Sequence, residues 1–170
     1  INPIQEITHA AHEFGAVVVV DGAQAVQHLK VDVQKLDCDF YAFSGHKLFS
    51  PTGVGALYGK KKHLNIMRPW NTGGGMIQRV SFETGTTYAE PPTKFEAGTP
   101  PIAEAIAMAA GIDYIEAIGL DRILNYEKDL LCFAESKLSE IPGLHCFGNV
   151  KNKVGVISFV MDSAHPHDIG

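Results

Sequence analysis

The chain has 170 residues, 45% of them hydrophobic and 19% charged, with a formal net charge of -5. That is the composition of a globular protein, and without a clustered basic stripe it argues against nucleic-acid binding by phosphate neutralisation. No apolar run approaches the roughly 20 residues that span a bilayer, no signal peptide is visible, and Cys38, Cys132 and Cys146 are too few and scattered for a disulfide framework or a zinc site, so no membrane, no metal and a reducing, cytoplasmic setting are expected.

In chain order, Ile4, Ile7, Ala11 and Phe14 recur at helical spacing and Gly15 supplies a cap. The unbroken VVVV run at 17–20 suits a parallel strand covered on both faces. DVQKLD, from Asp32, reads as a short helix with an acidic N-cap. DFYAFS at 39–44 and GVGALYG at 53–59 are further strands, the second with glycines that permit close backbone approach. A helix follows through Lys61 to Met67, and Lys60, Lys61 and Lys62 read as its solvated opening. From Arg68 to Pro101 the Gly and Pro content predicts a long loop of functional character.

Beyond Pro101, AEAIAMAAGIDYIEAIG is a helix of small residues suited to tight packing, and a second long helix runs from about Asp121 to Glu140. HCF at 145–147 and VGVISFVM at 154–161 read as strands, and HPHDIG, with His165 and His167, as a helix start. Strand–helix alternation gives way near Gly119 to two consecutive helices, which predicts a boundary between a large domain at 1–118 and the start of a smaller α+β domain at 119–170. The opening INPIQEIT and the ending HPHDIG read as an internal piece of a longer protein.

Asp21 and Lys47 each follow an apolar run that reads as a strand. The pair therefore falls at the carboxyl ends of neighbouring strands, where α/β sheets bind ligands. Pyridoxal phosphate (PLP) enzymes need these two groups: a lysine to form a Schiff base and an acid to hold the pyridinium nitrogen protonated. Ser44 and His46 beside Lys47 are suitable phosphate donors. Plainer alternatives stand beside each assignment: a surface lysine for Lys47, and a cap of the next turn for Asp21.

DGAQ, SGHK and FEAGTP, in this order and spacing, resemble the class V branch of fold-type I PLP-dependent enzymes, particularly the Suf-type cysteine desulfurase and selenocysteine lyase group. The resemblance covers essentially the whole chain. It implies an α/β fold with a mostly parallel sheet flanked by helices. It implies Lys47 as the Schiff-base lysine, Asp21 on the pyridine nitrogen, Gln24 on the phenolic oxygen and Ala23 on a ring face. Ser44 and His46 would hold the phosphate, while Thr99 with the backbone of Gly98 would reach the phosphate of a partner subunit in a homodimer. The implied reaction takes L-cysteine, or selenocysteine, to alanine and an enzyme persulfide that passes to a sulfur-acceptor protein for iron–sulfur cluster assembly.

The resemblance also places three functional residues outside these positions: a stacking His before Ile1, and a carboxylate-binding Arg and the persulfide Cys after Gly170. On that reading this polypeptide alone is inactive, and Cys38 is inert core. Another class V aminotransferase-like enzyme shares the Lys and Asp logic. A non-catalytic scaffold with half a cofactor site and a dimer surface is the reading from a different class.

Overall fold

The computed structural model describes residues 1–170 except 149 and 151. Helix α1 (Ile4–Glu13) closes with Gly15 in the left-handed region (φ 70). Gly15 N–H donates to the His12 carbonyl and Ala16 N–H to that of Ala11, a Schellman end whose left-handed residue, just past the cap, favours glycine. The face that α1 buries differs from the one its aliphatic spacing predicts. Thr8 is buried and Ile4 packs on the core, whereas Ile7 and Phe14 are exposed. His12, one turn beyond Thr8, explains the rotation: it is hydrogen-bonded to Asp39 at the start of the second strand.

Strand β1 (Val19–Asp21) lies parallel to β2 (Phe40–Ser44), and β3 (Gly55–Gly59) completes the sheet antiparallel to β2. The valine run alternates instead of being covered on both sides. Val20 is buried with Cys38 and Tyr41, while Val17 and Val19 are exposed. Among the described residues the core forms on one face, where Val26, Val31, Val33 and Leu36 pack. Helix α2 (Val33–Leu36) starts as its sequence predicts, with the Asp32 carboxylate accepting from the N–H groups of Gln34 and Lys35. Gly55 also answers its prediction: a Cβ there would meet the Phe43 carbonyl oxygen at 2.6 Å.

Helix α3 (Lys61–Ile66) follows, but Lys60, the residue just before it, is not solvated as expected. Lys60 Nζ donates to the carbonyl and carboxylate of Asp37 and lies 3.4 Å from Asp39. The predicted long loop contains a hairpin, β4 (Ile77–Ser81) and β5 (Gly85–Tyr88). Ser81 Oγ accepts from Glu83 N–H and Thr84 N–H, and Gly85 (φ 80) returns the chain. The Gly and Pro punctuation on either side hides two strands this short. Met76, fully buried, anchors the base: its carbonyl accepts from Ala89 N–H and its sulfur from Gly73 N–H.

Helices α4 (Ile102–Ile118) and α5 (Leu120–Ser139) meet at Gly119 (φ 90). Strands β6 (Leu144–Phe147) and β7 (Ser158–Met161) form a separate antiparallel pair. Helix α6 (Pro166–Ile169) begins at His165, whose ring accepts from His167 N–H. Among the described residues, no helix is long and apolar enough to cross a membrane, and no His, Cys, Asp and Glu cluster could hold a metal ion.

Candidate active site

Lys47 sits in a single 3-10 turn, Gly45–Leu48, that leaves the carboxyl end of β2 directly after Ser44. Three contacts fix this turn. Gly45 N–H donates to the Val54 carbonyl across from β3, and Ser50 N–H donates back to the Gly45 carbonyl. Ser50 Oγ donates to the Leu48 carbonyl at 3.2 Å and lies 3.5 Å from that of Met108 on α4. Gly111 of α4 makes this seat possible. A Cβ there would stand 2.3 Å from Ser50 Oγ and 2.5 Å from the Leu48 carbonyl oxygen. Gly111 is thus a packing requirement of the lysine turn, whereas Ala103, Ala105, Ala109 and Ala110 of the same helix are exposed.

Asp21 ends β1, one strand away, in register with Ala42. Gly22 N–H extends the ladder to the Ala42 carbonyl at 2.8 Å. The Asp21 carboxylate accepts one hydrogen bond, from Ala23 N–H at 3.0 Å, so it caps its own turn and keeps its other oxygen for an incoming donor. Gly22 is tightly enclosed: a Cβ would meet the Tyr41 ring at 2.0 Å. Burial pushes the Tyr41 phenol up, and the charges of Cys38 and Asp21 add to the shift. A cleft lined by Asp21, Gly22, Gln24 and Tyr41 opens beside this turn.

Ser44 Oγ and His46 Nδ1 share a hydrogen bond of 2.8 Å. In one tautomer His46 Nδ1–H donates to Ser44 Oγ and leaves the Ser44 O–H for an anion; in the other Ser44 O–H donates to Nδ1 and leaves the His46 Nε2–H for it. Asp21, Ala23 and Gln24 therefore lie on one turn, Ser44, His46 and Lys47 on the next, at the same end of two parallel strands. No hydrogen bond or ion pair among the described residues engages Lys47. This set suits PLP: an uncommitted amine, a carboxylate with an open oxygen for a ring N–H, and a Ser–His pair for a phosphate.

Gly98 and Thr99 are placed elsewhere. Their loop hangs on the base of the hairpin through Gly98 N–H donating to the Gly74 carbonyl at 2.9 Å, and both residues are exposed. No hydrogen bond among the described residues joins them to the Lys47 turn. Cys38 is fully buried, which pushes its thiol up, and Cys132 and Cys146 are exposed on α5 and β6. Residue-by-residue reading missed Gly111, Ser50 and Met108, which seat the lysine turn from a distance.

The aminotransferase class-V family model matches residues 1–170. The chain belongs to the aminotransferase class-V family. Within it, the chain is similar to a cysteine desulfurase of Dickeya dadantii, 52% identical over all of this chain and 41% of that relative. Among solved members it resembles the apo structure of a cysteine desulfurase from Thermococcus onnurineus NA1, with 44% identity, 98% of this chain and 42% of that one covered, and a TM-score of 0.90. A C-DES mutant with glycine covalently linked to its PLP cofactor is 27% identical, with 99% and 46% covered and a TM-score of 0.84. These likenesses bear out the fold-type I, α/β class. The chain spans about two-fifths of the length of these family members.

Proposed function

We propose that the whole protein is a PLP-dependent cysteine desulfurase that releases L-alanine from L-cysteine and carries the sulfur onward as a persulfide for iron–sulfur cluster assembly. The observation that carries this reading is the pairing of Lys47 with Asp21 at the same end of parallel strands, in a chain half identical to cysteine desulfurases along its entire length. Lys47 would hold PLP, Asp21 its ring nitrogen, Gln24 its phenolic oxygen, Ala23 a ring face, and Ser44 and His46 its phosphate. When bound, PLP supplies an electron sink for the carbanion left when substrate Cα loses its proton.

The protein's own residues do the rest. Lys47 Nζ takes the Cα proton and returns it, which its position on a turn pinned at both ends favours. Asp21 would accept from the ring N–H and so favour the protonated nitrogen. The buried Cys38 is unsuited to receive sulfur, since a nucleophilic thiolate needs access. Cys132 and Cys146 sit on α5 and β6, not on the turns that bear Asp21 and Lys47, and we follow the family resemblance in assigning that role to a Cys outside these residues. Gly98 and Thr99 reach a partner subunit's phosphate, an assignment that their exposed loop permits. We place a domain boundary at Gly119, where positive φ separates α4 from α5. The three free cysteines are compatible with a cytoplasmic setting.

The test uses the full-length protein loaded with PLP. A visible absorption band, fixed by borohydride onto Lys47, and alanine production from cysteine are expected. Alanine from selenocysteine but not from cysteine would reassign the substrate, and amino-group transfer without alanine would reassign the reaction. A protein with no visible band would be the scaffold instead.

A further inference from the structure

Gln24 is linked to a carboxylate on α5 by a chain of side chains that the proposed reaction does not use. His28 Nδ1 lies 2.7 and 2.8 Å from the two oxygens of Glu127, 99 positions away in sequence. His28 Nε2 lies 3.0 Å from Gln27 Nε2, and Gln27 Nε2 lies 3.2 Å from Gln24 Oε1. His28 and Glu127 are largely sheltered, with side chains 20% and 24% exposed.

With a neutral His28, the chemistry of each group gives every bond in the chain a direction. An ionised carboxylate only accepts, so His28 Nδ1 carries a proton and donates it to Glu127. In the neutral ring Nε2 is then bare and accepts. The atom facing it is the Gln27 amide nitrogen, a donor. The second N–H of that nitrogen points to Gln24 Oε1. Gln24 therefore has its acceptor occupied and its amide N–H groups unspent.

We infer that Glu127, His28 and Gln27 form a positioning relay that fixes Gln24 as a hydrogen-bond donor toward the cofactor's phenolic oxygen. The inference rests on the reading of Gln24 as a cofactor residue. An unrestrained amide presents oxygen or nitrogen alike, and an oxygen facing a phenolate oxygen repels it. The relay removes that choice, and it does so from α5, which follows the Gly119 break.

Two readouts test the relay in the full-length protein. The first needs no cofactor: imidazole nitrogen shifts of His28 report its tautomer. Protonated Nδ1 and bare Nε2 are expected, and a mixture in Glu127→Gln, whose amide serves either tautomer. The second is the pH midpoint of the visible band with PLP bound. Losing a fixed donor leaves the phenolic oxygen more basic, so Gln27→Leu raises the midpoint by about half a unit, the scale of one hydrogen bond. Gln27→Glu raises it further, because a carboxylate there captures the Gln24 N–H groups and turns its oxygen outward.

A wild-type His28 protonated on Nε2 overturns the relay, as does an unchanged midpoint in Gln27→Glu. Absence of a visible band in the wild type overturns the proposed function instead, and the tautomer measurement then still decides the relay.

Discussion

At the amino end of β2, the Asp39 carboxylate accepts from Val18 N–H, His12 Nε2 and His63 Nε2 at 2.8–2.9 Å, with Lys60 at 3.4 Å and Lys62 at 3.7 Å. At the carboxyl end of the same strand, Lys47 and Asp21 stand on adjacent turns and are hardly engaged. The first cluster is saturated. Burial pushes the Asp39 carboxyl up, but its hydrogen bonds from Val18, His12 and His63 and the Lys60 charge outweigh burial and hold it well below the usual carboxylate range. The second cluster leaves its donors and acceptors over. Polar groups that complete one another stabilise a fold, whereas polar groups left incomplete await a ligand.

Substitutions at the open end should remove chemistry and leave the fold. Lys47→Ala in the full-length protein has the largest expected effect, complete loss of the borohydride-fixed adduct, read by mass spectrometry. An adduct on another lysine would break the comparison at its central residue. Asp21→Ala should lower kcat by roughly 100-fold or more, the scale of losing one preorganised electrostatic partner, with thermal stability close to wild type.

The closed end should behave in the opposite sense. Asp39→Asn removes the buried anion shared by His12, His63, Lys60 and Lys62, leaves Asp37 as the remaining partner of His12 and Lys60, and should cost about 3 kcal/mol in chemical denaturation, as when a buried pair loses one member. Its kcat per folded molecule should stay unchanged. Because the Asp39 carboxyl is depressed in the fold, its contribution is fully present above the unfolded carboxyl value of about 4 and fades as pH falls below that. Asp39→Asn should therefore flatten the acid limb of the stability profile.

The smallest expected effect sharpens the comparison by touching both ends of it. Gly111→Ala overpacks the seat of the lysine turn and should cost about 1–3 kcal/mol, with a lower PLP affinity that Asp39→Asn does not share.

Much of the open end was legible because its chemistry is local in sequence. DGAQ and SGHK each put their polar side chains on or beside one turn after an apolar strand. Helices α1 and α2 followed from spacing and caps, and α3 to α5 were legible as segments. What escaped was non-local. Nothing in LDCDF distinguishes Asp39 from a surface acid until His12 and His63 arrive from α1 and α3. Lys60 looked solvated for the same reason. The β4–β5 hairpin was masked by flanking glycines and prolines, and the buried face of α1 was chosen by Thr8 and His12 over its larger aliphatic residues.

The seat of the lysine turn bears on biosynthesis. Ser50 and the Met108 carbonyl that it faces are 58 positions apart. At a translation rate of ~5–20 residues per second, roughly 3–12 seconds separate their synthesis. During that interval the turn bearing Lys47 exists without the helix that holds it, and its amine differs little from any lysine on a nascent chain. If Lys47 is the lysine that takes the cofactor, its selective capture of an aldehyde is expected only once α4 has emerged from the ribosome and docked.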